Sequence, residues 1–411
     1  MKRTDGHQMS KLISEGKMQG YSRLFTFCFL LFTYTTSAQT LLTEDDYLQK
    51  ALAHNPAAQA ATLKINQSKA LEGTRFSLSS PVVNTESPTG DFYAIGVMQS
   101  FRLPGYYQKQ GRLLRSQTGL AQAEAGITRA EVLTQARQLY LQAQYYQSLD
   151  SLLAYQDSLY RGISLAAQRL YGAGQIDALQ AGFARTQAGE IEAARQANQS
   201  VVLSSVEQLS LFSGVRLPFR LPSLFSAKTG ANPLVFYQKT APLVQFSVQN
   251  AQVSVANTQA ELARFKPSFS AGYLNQGPRE TPQSLRLRAA IDIPIWTKQH
   301  TSAIKAARVG EQIAQRQVDN ARLSFQVDSA QITSQRARLQ VQIERYRNDL
   351  NAESDRIISA STRLRRAGSL DVISHLRTVN EAFGIKLRYL DLLRQWKQTI
   401  INANALTTTN Q

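Results

Sequence analysis

The chain has 411 residues, a formal net charge of +17, 43% hydrophobic residues and 18% charged ones. That length suits two or three ordinary domains or one large assembly, and the hydrophobic share excludes a disordered chain. The Lys and Arg excess is spread along helical patterns rather than clustered, so it reads as solvated helix faces and no nucleic-acid partner is expected.

The first element in chain order is an export signal. Lys11, Lys17 and Arg23 precede the apolar run "LFTFCFLLFTY", and "TTSA" ends at Ala38, just before Gln39. Basic region, short apolar core and small residues at the cut form the secretory pattern, so residues 1–38 are expected to be removed. The run is about half of the ~20 residues that a membrane-spanning helix needs. Met18, opening "MQGYSRLF", offers an alternative start with a more usual basic leader. The single cysteine, Cys28, lies inside the run, and Gln39 stands where a lipid-anchor cysteine would have to be. The mature chain would carry +14 and no cysteine, which leaves out disulfides and thiolate chemistry.

All 12 prolines fall in two windows, Pro56 to Pro104 and Pro218 to Pro294. Proline interrupts helices, so the proline-free blocks after each window can be nearly all helix. In the first window "FSLSSPVV" and "FYAIGVMQSF" read as a strand hairpin at about 74–103, joined by "NTESPTG". The first block then carries coiled-coil spacing at Leu139, Tyr146, Leu149, Leu153, Tyr160, Ile163 and Leu170. A helix from about Tyr106 to Tyr171 would be ~100 Å long at ~1.5 Å per residue. It ends at "RLYGAGQIDALQ", where glycine suits the turn after a helix C-terminus and Asp177 falls in the first turn of the next helix.

The second half repeats this grammar. "ALAHNPAAQAATLKINQSKAL" from Ala51 resembles "YQKTAPLVQFSVQNAQVSVAN" from Tyr237, and "QSFRLPGYYQKQ" echoes "AIDIPIWTKQHT". "PSFSAGYLNQGP" and "SLRLRAAIDIPI" form the second strand hairpin, at about 267–295, around the loop "QGPRETPQ". Leu285, Leu287, Ala289, Ile291 and Ile293 alternate with Arg286, Arg288 and Asp292, giving one apolar and one polar face. A second helix from about Trp296 to Arg366 carries the seam Leu339, Ile343, Tyr346, Leu350, Ile357, Ala360 and Leu364. It ends at "RLRRAGSLDVIS", which repeats the first tip 194 positions later; Ser369 suits the cap there and Asp371 the first turn. Leu376, Val379, Phe383, Leu390, Leu393 and Ile400 continue the seam to the end.

The chain is therefore mainly α with a small β part, a tandem duplication with a period near 190 residues. Residues 39–217 hold the first repeat, with a long helical hairpin over 105–213. Residues 218–411 hold the second, with its hairpin over 296–405. Strands about ten residues long, alternating in polarity behind an export signal, fit an outer-membrane barrel. Four strands cannot close one, and an open edge cannot sit in lipid, so other chains must complete it.

With these features the sequence resembles the TolC-like outer-membrane efflux family over nearly all of the mature chain, from about Leu41 to Ala405. The two tip phrases carry the resemblance, together with "QSFRLPGYYQKQGRLLR", which is similar to the strand-to-helix passage of the branch linked to heavy-metal resistance pumps. The resemblance implies a homotrimer, a twelve-stranded transmembrane barrel in outer-membrane lipid and a twelve-helix α-barrel through the periplasm. It also implies a periplasmic adaptor docked on the tips and an inner-membrane pump, usually proton-driven; an ABC exporter that secretes protein is the alternative pump. Leu170, Gly172, Gly174, Leu364, Gly368 and Leu370 are then the adaptor-docking candidates. In the family, ion pairs among neighbouring helices hold the tips closed, and Arg169, Asp177, Arg363, Arg365, Arg366 and Asp371 are the charged groups available here. Gln180 and Ser374 stand where family tips often carry an acid, so Asp177 and Asp371 read either as plain helix caps or as gate partners. Arg286, Arg288 and Asp292 read either as a charged lumen wall or as ordinary solvated positions.

No catalytic grouping or phosphate loop is present, and no cofactor or metal is expected. His7, His54, His300 and His375 lack partners at metal-ligand spacing, and His375 reads as solvated. The expected function is a passive exit duct of a tripartite efflux system. A periplasmic or surface coiled-coil structural or adhesive protein is the competing class, and an adaptor is a weaker third.

Overall fold

The structure is a computed structural model and describes residues 40–86, 94–226, 236–275, 282, 286–295 and 297–407. The expected signal peptide with Met18 and Cys28, most of the loop "QGPRETPQ", Leu285 and Trp296 lie outside the described residues. In chain order the elements are β1 (Thr40–Leu41), α1 (Glu44–His54), α2 (Pro56–Leu71), β2 (Val82–Glu86), β3 (Ala94–Arg102), α3 (Pro104–Gly172), α4 (Ala178–Ser213) and β4 (Phe219–Arg220). Then follow α5 (Pro242–Arg264), β5 (Ser268–Asn275), β6 (Leu287–Asp292), α6 (Thr297–Arg345), a π-helical turn (Tyr346–Leu350), α7 (Asn351–Arg366) and α8 (Val372–Thr407).

The described residues divide into a small unit, Thr40–Leu41 with Pro218–Arg220, and a large one holding the rest. In the small unit β1 and β4 pair in parallel, Thr40 opposite Phe219 and Leu41 opposite Arg220.

Local chemistry sets the helix starts of the large unit. Thr43 caps α1 through Asp46 N–H, and Asn55 caps α2 through Ala57 N–H at 2.9 Å. Proline opens α2, α3 and α5, where a missing N–H costs nothing. The 69 residues of α3 make a helix of ~100 Å, and α6, the π turn and α7 continue as one helical path of similar length.

The returning helices α4 and α8 have 36 residues each, about half the length of the helices they follow. These ends fall close to the expected hairpin bounds of 213 and 405, and other helices cover the rest of α3 and α6. Alongside α3, α2 packs through a Lys64–Glu124 ion pair of 2.6 Å. Alongside α6 lies α5, joined by Asn250 to Gln317 at 3.2 Å.

The π turn explains a departure from the expected seam. Up to Ile343 the buried positions follow the sequence seam, with Leu339 and Ile343 in the core. Beyond it the buried residues are Ser354, Ile358 and Ser361, one position after Ile357 and Ala360. A π turn inserts one residue into the helical count, so every later face rotates by one position. Leu364, a seam residue by sequence, is 50% exposed for that reason.

The strands form one antiparallel sheet in the order β2-β3-β5-β6. The first strand runs later than expected: residues 72–76 are a 3-10 turn, and Asn84, Thr85 and Glu86, read as loop, are in β2. Pro81 lacks the N–H a ladder requires, so pairing begins after it.

Candidate functional site

The two ends of the long helices carry the features that the sequence singled out. At the first tip Ala173 N–H bonds Arg169 O, Gly174 N–H bonds Tyr171 O and Gln175 N–H bonds Leu170 O. At the second, Ala367 N–H bonds Arg363 O, Gly368 N–H bonds Arg365 O and Ser369 N–H bonds Leu364 O. The pattern is the same bond for bond, a Schellman turn in which the glycine takes the left-handed conformation. Gly174 has φ 70° and Gly368 φ 76°. Asp177 and Asp371 then cap the returning helices, accepting from Gln180 N–H at 2.7 Å and Ser374 N–H at 2.9 Å. Asp371 rather than Ser369 is thus the second cap, and its hydrogen bonds from Ser374 hold its carboxyl below the usual range.

Arg169, Arg363 and Arg366 are exposed, while Arg365 is half-buried with its Nη1 3.4 Å from Leu370 O. Among the described residues no ion pair within the chain joins these arginines to Asp177 or Asp371. Gly172, Gly174, Leu364 and Gly368 are exposed, and Leu170 and Leu370 are half-buried. Exposed apolar residues that the sequence reading had not selected extend the first tip: Leu165, Tyr171, Leu179 and Phe183. His375, expected to be solvated, is 2% exposed. Its Nδ1 hydrogen-bonds the Ser361 hydroxyl, and burial together with Arg365 pushes its pKa down. Among the described residues no group of three or more His, Cys, Asp or Glu could hold a metal.

Behind the tips each hairpin is pinned by charge. Asp157, almost fully buried, meets Arg161 at 2.8 Å and Arg195 of α4 at 3.1 Å, and Arg161 also reaches Glu192 at 3.2 Å. In the second hairpin Asp355 of α7 meets Lys386 of α8 at 2.8 Å. The offset of 194 that aligns the tips aligns Arg161 with Asp355 and Glu192 with Lys386. The two hairpins therefore use one cross-helix ion pair with its polarity reversed.

At the other end of α3, the sheet separates its residues by face. Directly opposed residues share a face. Val83, Val97, Tyr273 and Leu287 form one row of a face that also carries Phe101, Phe269 and Ile291. The other, mixed but more polar face holds Gly96, Gly272, Arg288, Ser100, Ser270, Arg102, Ser268 and Asp292 together with Val82, Met98, Leu274 and Ala290. The apolar face is largely exposed, whereas Ala94, Leu274 and Ser270 of the second face are buried. Arg288 and Asp292 thus sit on the more polar face, with Ser268 bonded to Asp292 at 3.1 Å. Arg286 precedes β6, and its guanidinium reaches Asn275 at 2.6 Å and Tyr273 at 3.4 Å, side chains of the apolar face. Both outer strands, β2 and β6, present an unpaired edge among the described residues.

No family model and no curated protein sequence matches the chain. Solved structures do. CusC, described through its folding and transmembrane channel formation, superposes at a TM-score of 0.74 with 16% identity over 92% of this chain and 96% of its own. The Vibrio cholerae outer membrane protein VceC gives 0.71 with 14% identity over 89% and 96%. The open state of the Neisseria gonorrhoeae MtrE outer membrane channel gives 0.70 with 13% identity over 89% and 88%. This chain has the fold of these outer-membrane channels. At such identities the shared feature is the backbone path, and the roles of the tip and sheet side chains rest on this chain's own geometry.

Proposed function

We propose that the protein is one subunit of a homotrimeric outer-membrane exit duct of a tripartite efflux system, which passively conducts substrates handed over by an inner-membrane pump. The observation that carries this reading is the four-stranded sheet with an apolar exposed face, a more polar opposite face and two open edges. Such a sheet is stable in lipid only when its edges are paired. Three copies joined edge to edge make a closed barrel of twelve strands with Arg288 and Asp292 on its lumen side. A second, exposed seam on α6 supports the same assembly: Val309, Ile313, Leu323, Val327 and Val341 fall on one three-four repeat and are exposed in the single chain. A neighbouring copy would cover it.

In this assembly the helices form a tunnel in the periplasm, and the glycine tips with Leu170, Leu179, Phe183, Leu364 and Leu370 receive a periplasmic adaptor. The pump is of the proton-driven resistance type, and Asp177 and Asp371 act as caps rather than gate partners. Residues 1–38 act as a removed signal peptide, and residues 39–217 and 218–411 as the two structural repeats.

Gly368→Val tests the tip. A β-branched residue at φ 76° costs ~1–3 kcal/mol of local strain, in a turn with no neighbour within 4 Å of the new Cβ. Resistance in a strain lacking its own duct should be lost while the trimer band survives. Unchanged export would place the functional mouth elsewhere.

A further inference from the structure

His375 is a buried histidine that no part of the duct reading requires. It lies one turn into α8, with its Nδ1 on the Ser361 hydroxyl of α7. Two observations make it more than a packing residue. First, the offset of 194 places Ala167 and Ala181 of the first hairpin at the positions of Ser361 and His375, and both alanines are buried. The equivalent positions thus carry two buried alanines in one hairpin and a polar, titratable pair in the other, so packing alone does not call for the histidine. Second, its surroundings offer a cation nothing. On α7 the charged group acting on the ring is Arg365, which repels a proton there. On its own helix the Asp371 carboxylate is committed to the Ser374 N–H. From α3 and α4 the cluster packed on Val372, Leu376 and Val379 of the same helix holds Leu152, Tyr160, Ile163, Ala167, Ala184 and Ala188; its only titratable member is Tyr160, which burial keeps neutral.

We propose that His375 is an acid-sensitive latch of the second tip: taking up a proton loosens the α7–α8 hairpin, while the α3–α4 hairpin, with alanines at both positions, stays closed. One hydroxyl cannot replace the hydration of an imidazolium, and Arg365 adds repulsion. In the opened hairpin the ring binds a proton with the ordinary histidine pKa of about 6.5. In the closed hairpin it does so only at lower pH. Opening therefore takes up a proton, and the closed state loses stability as pH falls below about 6.5, each unit of depression being worth about tenfold in the opening equilibrium. The latch itself needs only the hairpin; its effect on a conducting mouth rests on the function proposed above.

Amide exchange on the full-length protein in detergent, corrected for intrinsic rates, tests the latch. Lowering the pH from about 7.5 to about 5.5 spans the titration. Exchange over residues 361–376 should rise several-fold, while residues 167–182 should not change. The double variant S361A/H375A copies the first hairpin's alanine pair and should fold with a pH-independent second tip. Equal response of both hairpins, no response, or an unchanged response in the double variant overturns the proposal. Conductance in planar bilayers separates the two levels. Channels opening at acid pH only with His375 present support both latch and duct, and exchange changes without any conductance support the latch and sink the duct.

Discussion

Gly272→Val is expected to eliminate the folded form of the protein. A Cβ at Gly272 would overlap the Val97 carbonyl oxygen and Met98 Sδ, and would lie 2.9 Å from Met98 Cα. Two of these three atoms are backbone of the neighbouring strand β3, so no rotamer change relieves the clash. The β3–β5 ladder, which joins the strands of the two repeats through Met98 opposite Gly272, would have to part. Overpacking of this kind costs about 3 kcal/mol or more, and a four-stranded sheet has few pairings from which to absorb it. The readout is the heat-modifiable band of detergent-extracted protein. Gly310→Ala, in α6 with nothing within 4 Å of the new Cβ, is the matched control and should leave the band intact. A normal band for Gly272→Val would mean that the strands do not meet in this register.

Trp396→Ala should have the largest effect among the helices. Trp396 is 1% exposed and packs in the cluster of Leu141, Leu339, Ile343, Leu390 and Leu393, with the Arg336 guanidinium 4.9 Å from its ring centre. That cluster ties α8 to both long helices. Removing a buried tryptophan costs about 3–5 kcal/mol through lost transfer energy and the cavity it leaves. Thermal unfolding followed by circular dichroism should show a clear drop in midpoint, with local loosening of α8 by amide exchange. A midpoint within a degree or two of the parent would refute the packing described for this helix. The tip variant Gly368→Val, by contrast, should leave this cluster intact and lower the melting midpoint less than Trp396→Ala.

The parts legible in the sequence are those written locally. The three-four spacing and the absence of proline define the long helices, and glycine followed by aspartate defines both tips. The alternation of Leu287, Ala289 and Ile291 with Arg288 and Asp292 gives the faces of β6, and the structure keeps them. What the sequence hid depends on partners or on counting. A π turn leaves no compositional mark, yet it moved the buried face from Ile357 to Ile358. The two-residue strands β1 and β4 are too short for any periodicity. His375 looked solvated because a lone histidine beside charged residues gives no hint of the Ser361 hydroxyl facing it across the hairpin. The reversed ion pairs Arg161–Glu192 and Asp355–Lys386 did have a signal: the same offset of 194 that aligns the tips aligns them.

Edge-to-edge closure of three sheets is the point on which the duct depends, and cysteine cross-linking reads it directly. One cysteine would be placed at residues 82–84 of β2 and one at residues 289–291 of β6. Within one chain these edges lie three strand spacings apart, ~14 Å, beyond the ~7 Å that a disulfide can bridge between Cα atoms. Any bond must therefore join two copies. Oxidation in outer-membrane preparations should yield a covalent ring of three chains that resists heat and reverts to single chains on reduction. A chain that stays monomeric after oxidation in every pairing, and is recovered without detergent, would contradict the barrel and the duct with it.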